Sequence, residues 1–304
     1  MTTTQIELPA ASQSNRQSVA PSKAADMLQL AKPRMNMLVV GTTMVGFCMA
    51  VRGHHDWLKI PATLVGTALS AAGAGVLNQF IERRRDALMP RTRNRPLPTG
   101  RLDPAEAAGF GLGLAIGGVA VLTLLINPLT GALAALTLIS YLLIYTPLKP
   151  HTTWNTLVGA LPGAIPPVMG WSAVRGQIGP EALVLLAILF VWQIPHFMAI
   201  AILYKQDYAL AGFKMLPVVD HSLTRTGRHI ILFSAALLPV SVLPVFLGMA
   251  SMPYFILAVL MGLAFFSFGI PCATTGSRTD ARRLFVASIV YLPVLLLILM
   301  CNRA

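Results

Sequence analysis

The chain has 304 residues, of which 23 are Lys or Arg and 11 are Asp or Glu; 55% are apolar and the mean hydropathy is +0.69. Such a composition cannot supply the polar surface that a water-soluble domain of this length presents, which excludes a soluble globular protein. The net charge of +12 is confined to short segments between apolar stretches, so it reads as membrane topology and not as affinity for nucleic acid.

Residues 1–34 are polar, carry Pro9 and Pro21, and contain no apolar core of a secretory signal; they are expected to form a disordered cytoplasmic tail. Charge-free runs follow at 35–51, 60–81, 107–148, 154–174, 182–204, 230–277 and 284–302. The third and sixth, 42 and 48 residues long, exceed one bilayer span. Breaks are expected at Asn127-Pro128 and Met252-Pro253, because proline fixes φ and disfavours helix in the residue before it. The prediction is an all-α, polytopic membrane protein whose residues 35–304 form nine transmembrane helices. With the N-terminus inside, 19 of the 23 basic residues fall in cytoplasmic segments, which predicts that the C-terminus faces outward; a bacterial inner membrane, with the C-terminus periplasmic, is the expected location. Glycines 159, 163 and 170 and prolines 162, 166 and 167 are expected to bend the fifth helix, either widening a cavity or permitting close helix packing. Cys48, Cys272 and Cys301 lack metal-ligand spacing and read as small hydrophobes.

Two charged connections carry the chemistry. The first reads NQFIERRRDALMPRTRNRPLPTG over residues 78–100. Asn78, Glu82 and Asp86 recur every fourth residue, so on a helix their oxygens form one stripe with steps of about 6 Å. Oxygen donors in that arrangement suit Mg²⁺, which takes one or two carboxylates and leaves the rest of its octahedron to water and phosphate. Pro90 ends the helix, and Arg91 and Arg95 return guanidinium forks that match phosphate oxygens. The second connection follows helix six and places Asp207 between Lys205 and Lys214. One carboxylate with two ammonium groups suits a further metal and diphosphate contact. An ordinary solvated loop obeying the positive-inside rule is the competing reading, and it is favoured for Arg83, Arg84 and Arg85.

The first string resembles the signature of the UbiA superfamily of intramembrane prenyltransferases, through Asn78, Glu82, Asp86, Met89, Arg91, Thr92, Arg95 and Gly100. Arg85 departs from it, standing where an apolar or aromatic residue is usual. WQIPHF, YKQDYALAGFKMLPV and YTPLKPHTTWNTLVGALPGAIPPVMGWSAVRGQI are similar to segments of the branch that farnesylates protohaem. Lys214, Pro150 and Ala211 depart from that branch or its superfamily, and Ala211 weakens the case for a second metal.

The resemblance implies a UbiA-type bundle around a central cavity open to the cytoplasm and to lipid, with Mg²⁺ as cofactor. Farnesyl diphosphate and haem B are the implied substrates, and haem O, with diphosphate, the product; the product would be handed to a haem A synthase or a terminal oxidase. Asn78, Glu82, Asp86 and Asp207 would hold metal; Arg91, Arg95, Lys205 and Lys214 would hold diphosphate. Glu82, Asp86 and Asp207 would thereby be the catalytic acids. His196, eight residues or about 12 Å of rise before Tyr204, and His151 are candidate haem-binding residues. Trp171, Trp192, Tyr204 and Tyr208 are candidate cavity aromatics for an allylic cation, with an interfacial belt as the alternative. Rival readings are a prenyltransferase acting on a quinone precursor or chlorophyll, a transporter of an anionic solute, and a passive oxidase assembly factor.

Overall fold

The computed structural model describes residues 22–51 and 53–303, and among them the backbone is helical, with one isolated bridge joining Ala250 to Arg303 and no sheet. The first elements are α1 (Lys23–Ala31), α2 (Pro33–Ala50), a 3-10 turn (His54–Lys59), α3 (Ile60–Asp86), α4 (Pro104–Leu125) and α5 (Pro128–Ile139). A π-helical turn (Ser140–Tyr145) runs into α6 (Thr146–Leu148), followed by α7 (Asn155–Ala164), α8 (Pro166–Arg175) and α9 (Pro180–Leu203). The short helices α10 (Lys205–Leu210) and α11 (Leu216–Val219) precede α12 (Thr224–Phe246), α13 (Met252–Thr275) and α14 (Arg278–Cys301).

Eight helical segments among the described residues are long and apolar enough to cross a bilayer, so the chain is a multi-pass membrane protein. The remaining long helix, α2, has 18 residues and packs along α8 and α3.

Both expected breaks occur. Asn127 accepts a hydrogen bond from Thr130 N at 2.8 Å and so caps α5, which Pro128 opens. The other break falls before Met252-Pro253: α12 ends at Phe246, Gly248 turns the chain with φ +65°, and Pro253 lies in the first turn of α13. Here proline begins a helix, since its missing N–H is one that no first turn would use.

The fifth predicted span divides at Ile165 into α7 and α8. It is the most enclosed span, with 72% of its apolar window buried against 22% for α4, and the bundle is built around it. Of the two consequences expected of its glycines, the structure shows close helix packing. A methyl at Gly170 would collide with the Thr43 carbonyl, and one at Gly46 with that of Pro167, so α2 and α8 touch backbone to backbone.

The tail requires a correction. Residues 1–21 lie outside the described residues, but Lys23–Ala31 is helical, not disordered. Ser22 caps it, Leu30 is buried, and Asp26 accepts a two-nitrogen contact from Arg101 at 3.0–3.2 Å. Gln79 Nε2 donates to the Leu30 carbonyl at 2.7 Å. A segment this short is ordered by such tertiary anchors and leaves little hydropathy signal.

Candidate active site at the charged mouth

The stripe predicted on α3 is present and buried: Asn78 is 3%, Glu82 8% and Asp86 1% exposed. Burying carboxylates demands partners, and each acid has one. Lys149 Nζ lies 2.8 Å from Glu82 Oε1, and Arg95 Nη1 lies 2.7 Å from Asp86 Oδ2. Asn78 is oriented from the π-helical turn. Thr146 Oγ1 donates to the Tyr141 carbonyl at 2.8 Å, so it accepts from Asn78 Nδ2 at 3.1 Å. The Asn78 carbonyl oxygen is left over as an acceptor.

Several signature positions beside these three are structural. Thr92 Oγ1 donates to the Asp86 carbonyl at 2.8 Å and closes the end of α3. Met89 is buried with Ala211, Phe213 and Met215 of the second connection. Gly100 takes φ +72°, which a residue with a Cβ rarely adopts.

The two charged connections converge. Arg91 N donates to Asp207 Oδ2 at 3.3 Å, and its guanidinium sits 4.8 Å from the Tyr204 ring centre and 6.0 Å from that of Tyr208. Arg85 donates to the Ala211 carbonyl at 2.7 Å and lies over Phe213 at 5.5 Å; the departure from the signature is thus a brace between the connections. Lys214 N donates to the Lys149 carbonyl at 2.7 Å, while Asn155 Nδ2 donates to the Lys214 carbonyl at 3.0 Å. A cavity of about 580 Å³ opens beside this junction, lined by Arg91, Tyr204, Lys205, Asp207 and Arg278 among others. A separate apolar groove of about 600 Å³ runs along α4, α5 and the π-helical turn, with Leu77, Leu112 and Leu142 in its wall.

Electrostatics distinguish the cations. Burial, the largest single influence, would lower the Lys149 ammonium, but the Glu82 carboxylate together with Tyr141 and Tyr208 outweighs it and the net shift is upward, so Lys149 stays charged. Lys32, between α1 and α2, is pushed down to about 8, first by burial and then by the charges of Arg95 and Lys149. It holds a left-handed backbone, φ 49° and ψ 56°, which costs a residue with a Cβ about 1 kcal/mol. Burial raises the Tyr208 hydroxyl and keeps it protonated.

Not every predicted residue joins the mouth. Trp171 is buried near the opposite end of the bundle, 5.8 Å from the guanidinium of Arg175 at the end of α8. Trp192 and His196 stack on one another within α9, with ring centres 4.9 Å apart. His151 is exposed in the turn after α6, and Lys214 is exposed and contributes its backbone to the junction. No cluster of three His, Cys, Asp or Glu side chains that could hold a metal occurs among the described residues. Sequence reasoning passed over Lys149, Lys32, Tyr145 and Thr146. Lys149 had a signal, as the one basic residue between Arg101 and Arg175.

A multi-pass helical bundle with paired acids and surplus cations gathered at one mouth defines a membrane enzyme suited to polyanionic, lipid-soluble substrates. Residues 39–292 match the UbiA prenyltransferase family, and the chain belongs to that family. It is 42% identical over 287 residues to the protoheme IX farnesyltransferase of Solibacter usitatus, covering 91% of this chain and 98% of that one. It is 48% identical over 244 residues to the protoheme IX farnesyltransferase of Sorangium cellulosum, covering 80% and 86%. Among solved structures, the fold is similar to digeranylgeranylglyceryl phosphate synthase, with a TM-score of 0.74 at 17% identity over 91% of this chain and 97% of that one. It is also similar to a UbiA homolog from Archaeoglobus fulgidus bound to GPP and Mg²⁺, with a TM-score of 0.65 at 16% identity over 90% and 99%.

Proposed function

We propose that the chain transfers the farnesyl group of farnesyl diphosphate to a vinyl group of haem B, with addition of water, giving haem O and diphosphate. The observation that carries this reading is the pairing of Glu82 with Lys149 and Asp86 with Arg95 on one buried stripe, against a second connection bearing Arg91 and Asp207. The relatives' shared name supplies the acceptor.

The donor set fits Mg²⁺ of the kind that is completed by substrate phosphate and water, because two carboxylates and the free Asn78 carbonyl lie on one face and no all-protein cage is needed. Asn78, Glu82 and Asp86 would hold the ion, with Asp207 as a further oxygen donor, and when bound it supplies neutralisation of charge on the leaving diphosphate. Arg95 and Lys149 are already beside those carboxylates, and they hold the diphosphate oxygens together with Arg91, Lys32 and Lys205. Tyr145, 4.7 Å from Lys149 Nζ, and Tyr208 present ring faces beside the same cations. Apolar walls below the mouth exclude bulk water until the vinyl group has attacked the allylic carbon. Water then captures the cation left on the porphyrin substituent and gives up a proton, leaving the hydroxyl, while diphosphate departs.

In this reading α2 is the ninth span, the N-terminus is cytoplasmic, and the mouth opens to the cytoplasmic side of a bacterial inner membrane, as the 19:4 distribution of basic residues supports. The test incubates protein in lipid nanodiscs with haem B, farnesyl diphosphate and Mg²⁺ and measures products by mass spectrometry. Haem gaining one farnesyl group and one hydroxyl is expected. Prenylation of a phenolic acceptor in its place would overturn the reading.

A further inference from the structure

His196 has one nitrogen committed and one in reserve. Ser288 Oγ donates to the Phe285 carbonyl of its own helix at 2.6 Å. With its hydrogen so engaged, the hydroxyl acts as acceptor in its 2.7 Å contact with His196 Nδ1. Nδ1 therefore carries the imidazole hydrogen and Nε2 bears the lone pair. Nε2 has no hydrogen-bond partner among the described residues, and it is not one of the enclosed polar atoms left unpartnered.

The surrounding groups hold that orientation. Trp192 Nε1 donates to the Ser288 carbonyl at 2.9 Å, locking the serine backbone to α9. Trp192 and Phe285 both stack on the imidazole, at 4.9 and 5.2 Å between ring centres. A buried hydroxyl, an indole and a phenyl ring thus fix one tautomer in an apolar stretch containing no other histidine. A neutral imidazole with an oxygen acceptor behind Nδ1 is the arrangement by which proteins orient a metal-ligating histidine and raise its basicity.

We propose that Ser288 is a positioning residue, which fixes His196 so that Nε2 ligates the iron of the porphyrin acceptor. The inference rests on haem B being that acceptor. It assigns the iron a role in binding and not in the transfer: the metal anchors the macrocycle, so iron-free protoporphyrin lacks one anchor.

The experiment titrates haem B into the full-length protein in nanodiscs, following the Soret band and, in the ferrous state, the iron–histidine stretch by resonance Raman. Ser288→Ala is expected to weaken haem binding about 10–100-fold, the usual range for a partner behind a metal ligand, and to move the stretch to lower frequency. Ser288→Thr keeps the hydroxyl and is expected to restore both. His196→Gly is expected to lose the band and regain it with added imidazole, which separates ligation from folding. Iron-free protoporphyrin is expected to bind wild type and Ser288→Ala equally. An absent or unmoved iron–histidine band, or equal losses for haem and iron-free porphyrin in Ser288→Ala, overturns the proposal. Absence of haem O from wild-type incubations overturns the acceptor reading instead, whereas haem O formed by wild type with an unmoved band in Ser288→Ala sinks only the role of Ser288.

Discussion

Lys149 and Glu82 give the most decisive test of the mouth, because stability and activity respond differently to the same changes. The pair is 2.8 Å apart with side-chain exposures of 12% and 9%, so solvent screens it little. Lys149→Met leaves the Glu82 carboxylate buried without its ammonium, a loss expected to cost about 3–5 kcal/mol. Glu82→Gln strands the ammonium in the same way. The double variant Lys149→Met/Glu82→Gln buries no unpaired charge, and replacing a buried pair by neutral groups is commonly near neutral for stability, so most of the loss should be recovered.

Activity should not recover with it. In the proposed reaction Lys149 is one of the donors to the leaving diphosphate, and loss of one such preorganised contact should lower kcat/KM about 10²–10³-fold. Lys149→Met should show that deficit, and the double variant, which also lacks a metal-holding carboxylate, should be at least as impaired. Unfolding of the purified variants in detergent, with initial rates at saturating haem and limiting farnesyl diphosphate, measures both quantities. A double variant no more stable than Lys149→Met would show that the two charges are not coupled. A double variant with wild-type kcat/KM would show that the ammonium serves the fold alone.

Three further outcomes follow from the same geometry. Asp86→Asn should lower turnover at limiting Mg²⁺ about 10²-fold or more, and titration of activity against Mg²⁺ checks it; near-normal turnover would remove Asp86 from the metal site. Lys32, with its ammonium held down to about 8, loses charge as pH rises through that value, earlier than an ordinary lysine. kcat/KM for farnesyl diphosphate should therefore fall on the alkaline side of pH 8, and Lys32→Arg, which stays charged, should shift that limb upward; an identical profile for both proteins would exclude Lys32 from diphosphate binding. Gly170→Val should prevent α2 from seating on α8 by striking the Thr43 carbonyl, while Gly113→Val, with open space around its Cβ, should be tolerated. Thermal unfolding of the two variants in detergent distinguishes them, and equal behaviour would refute the backbone contact.

The spans were legible because bilayer thickness imposes a length and a polarity on any helix that crosses it. Asn127-Pro128 was legible for a local reason: an amide side chain and a ring beside it are a helix start in any context. The stripe of Asn78, Glu82 and Asp86 was legible because helical period alone sets its face. The break at Met252-Pro253 was legible for a related reason, but the exact end of α12 was not, because Gly248 turns the chain several residues earlier and the proline opens the next helix. Helix α1 was missed since, beyond the Ser22 cap, it is anchored by Arg101 and Gln79, far along the chain.

The partners of the stripe belong to the same unreadable class. Lys149 meets Glu82 across 67 positions, and Ser288 meets His196 across 92. No periodicity joins such residues; the meeting is made by the packing of α9 on α14 and by the turn that carries Thr146 and Lys149 back over α3. A histidine in an apolar helix can be flagged from the sequence by its cost alone. Which of its nitrogens is free depends on whether a serine elsewhere has already given its hydrogen to a carbonyl, and only the assembled helices decide that.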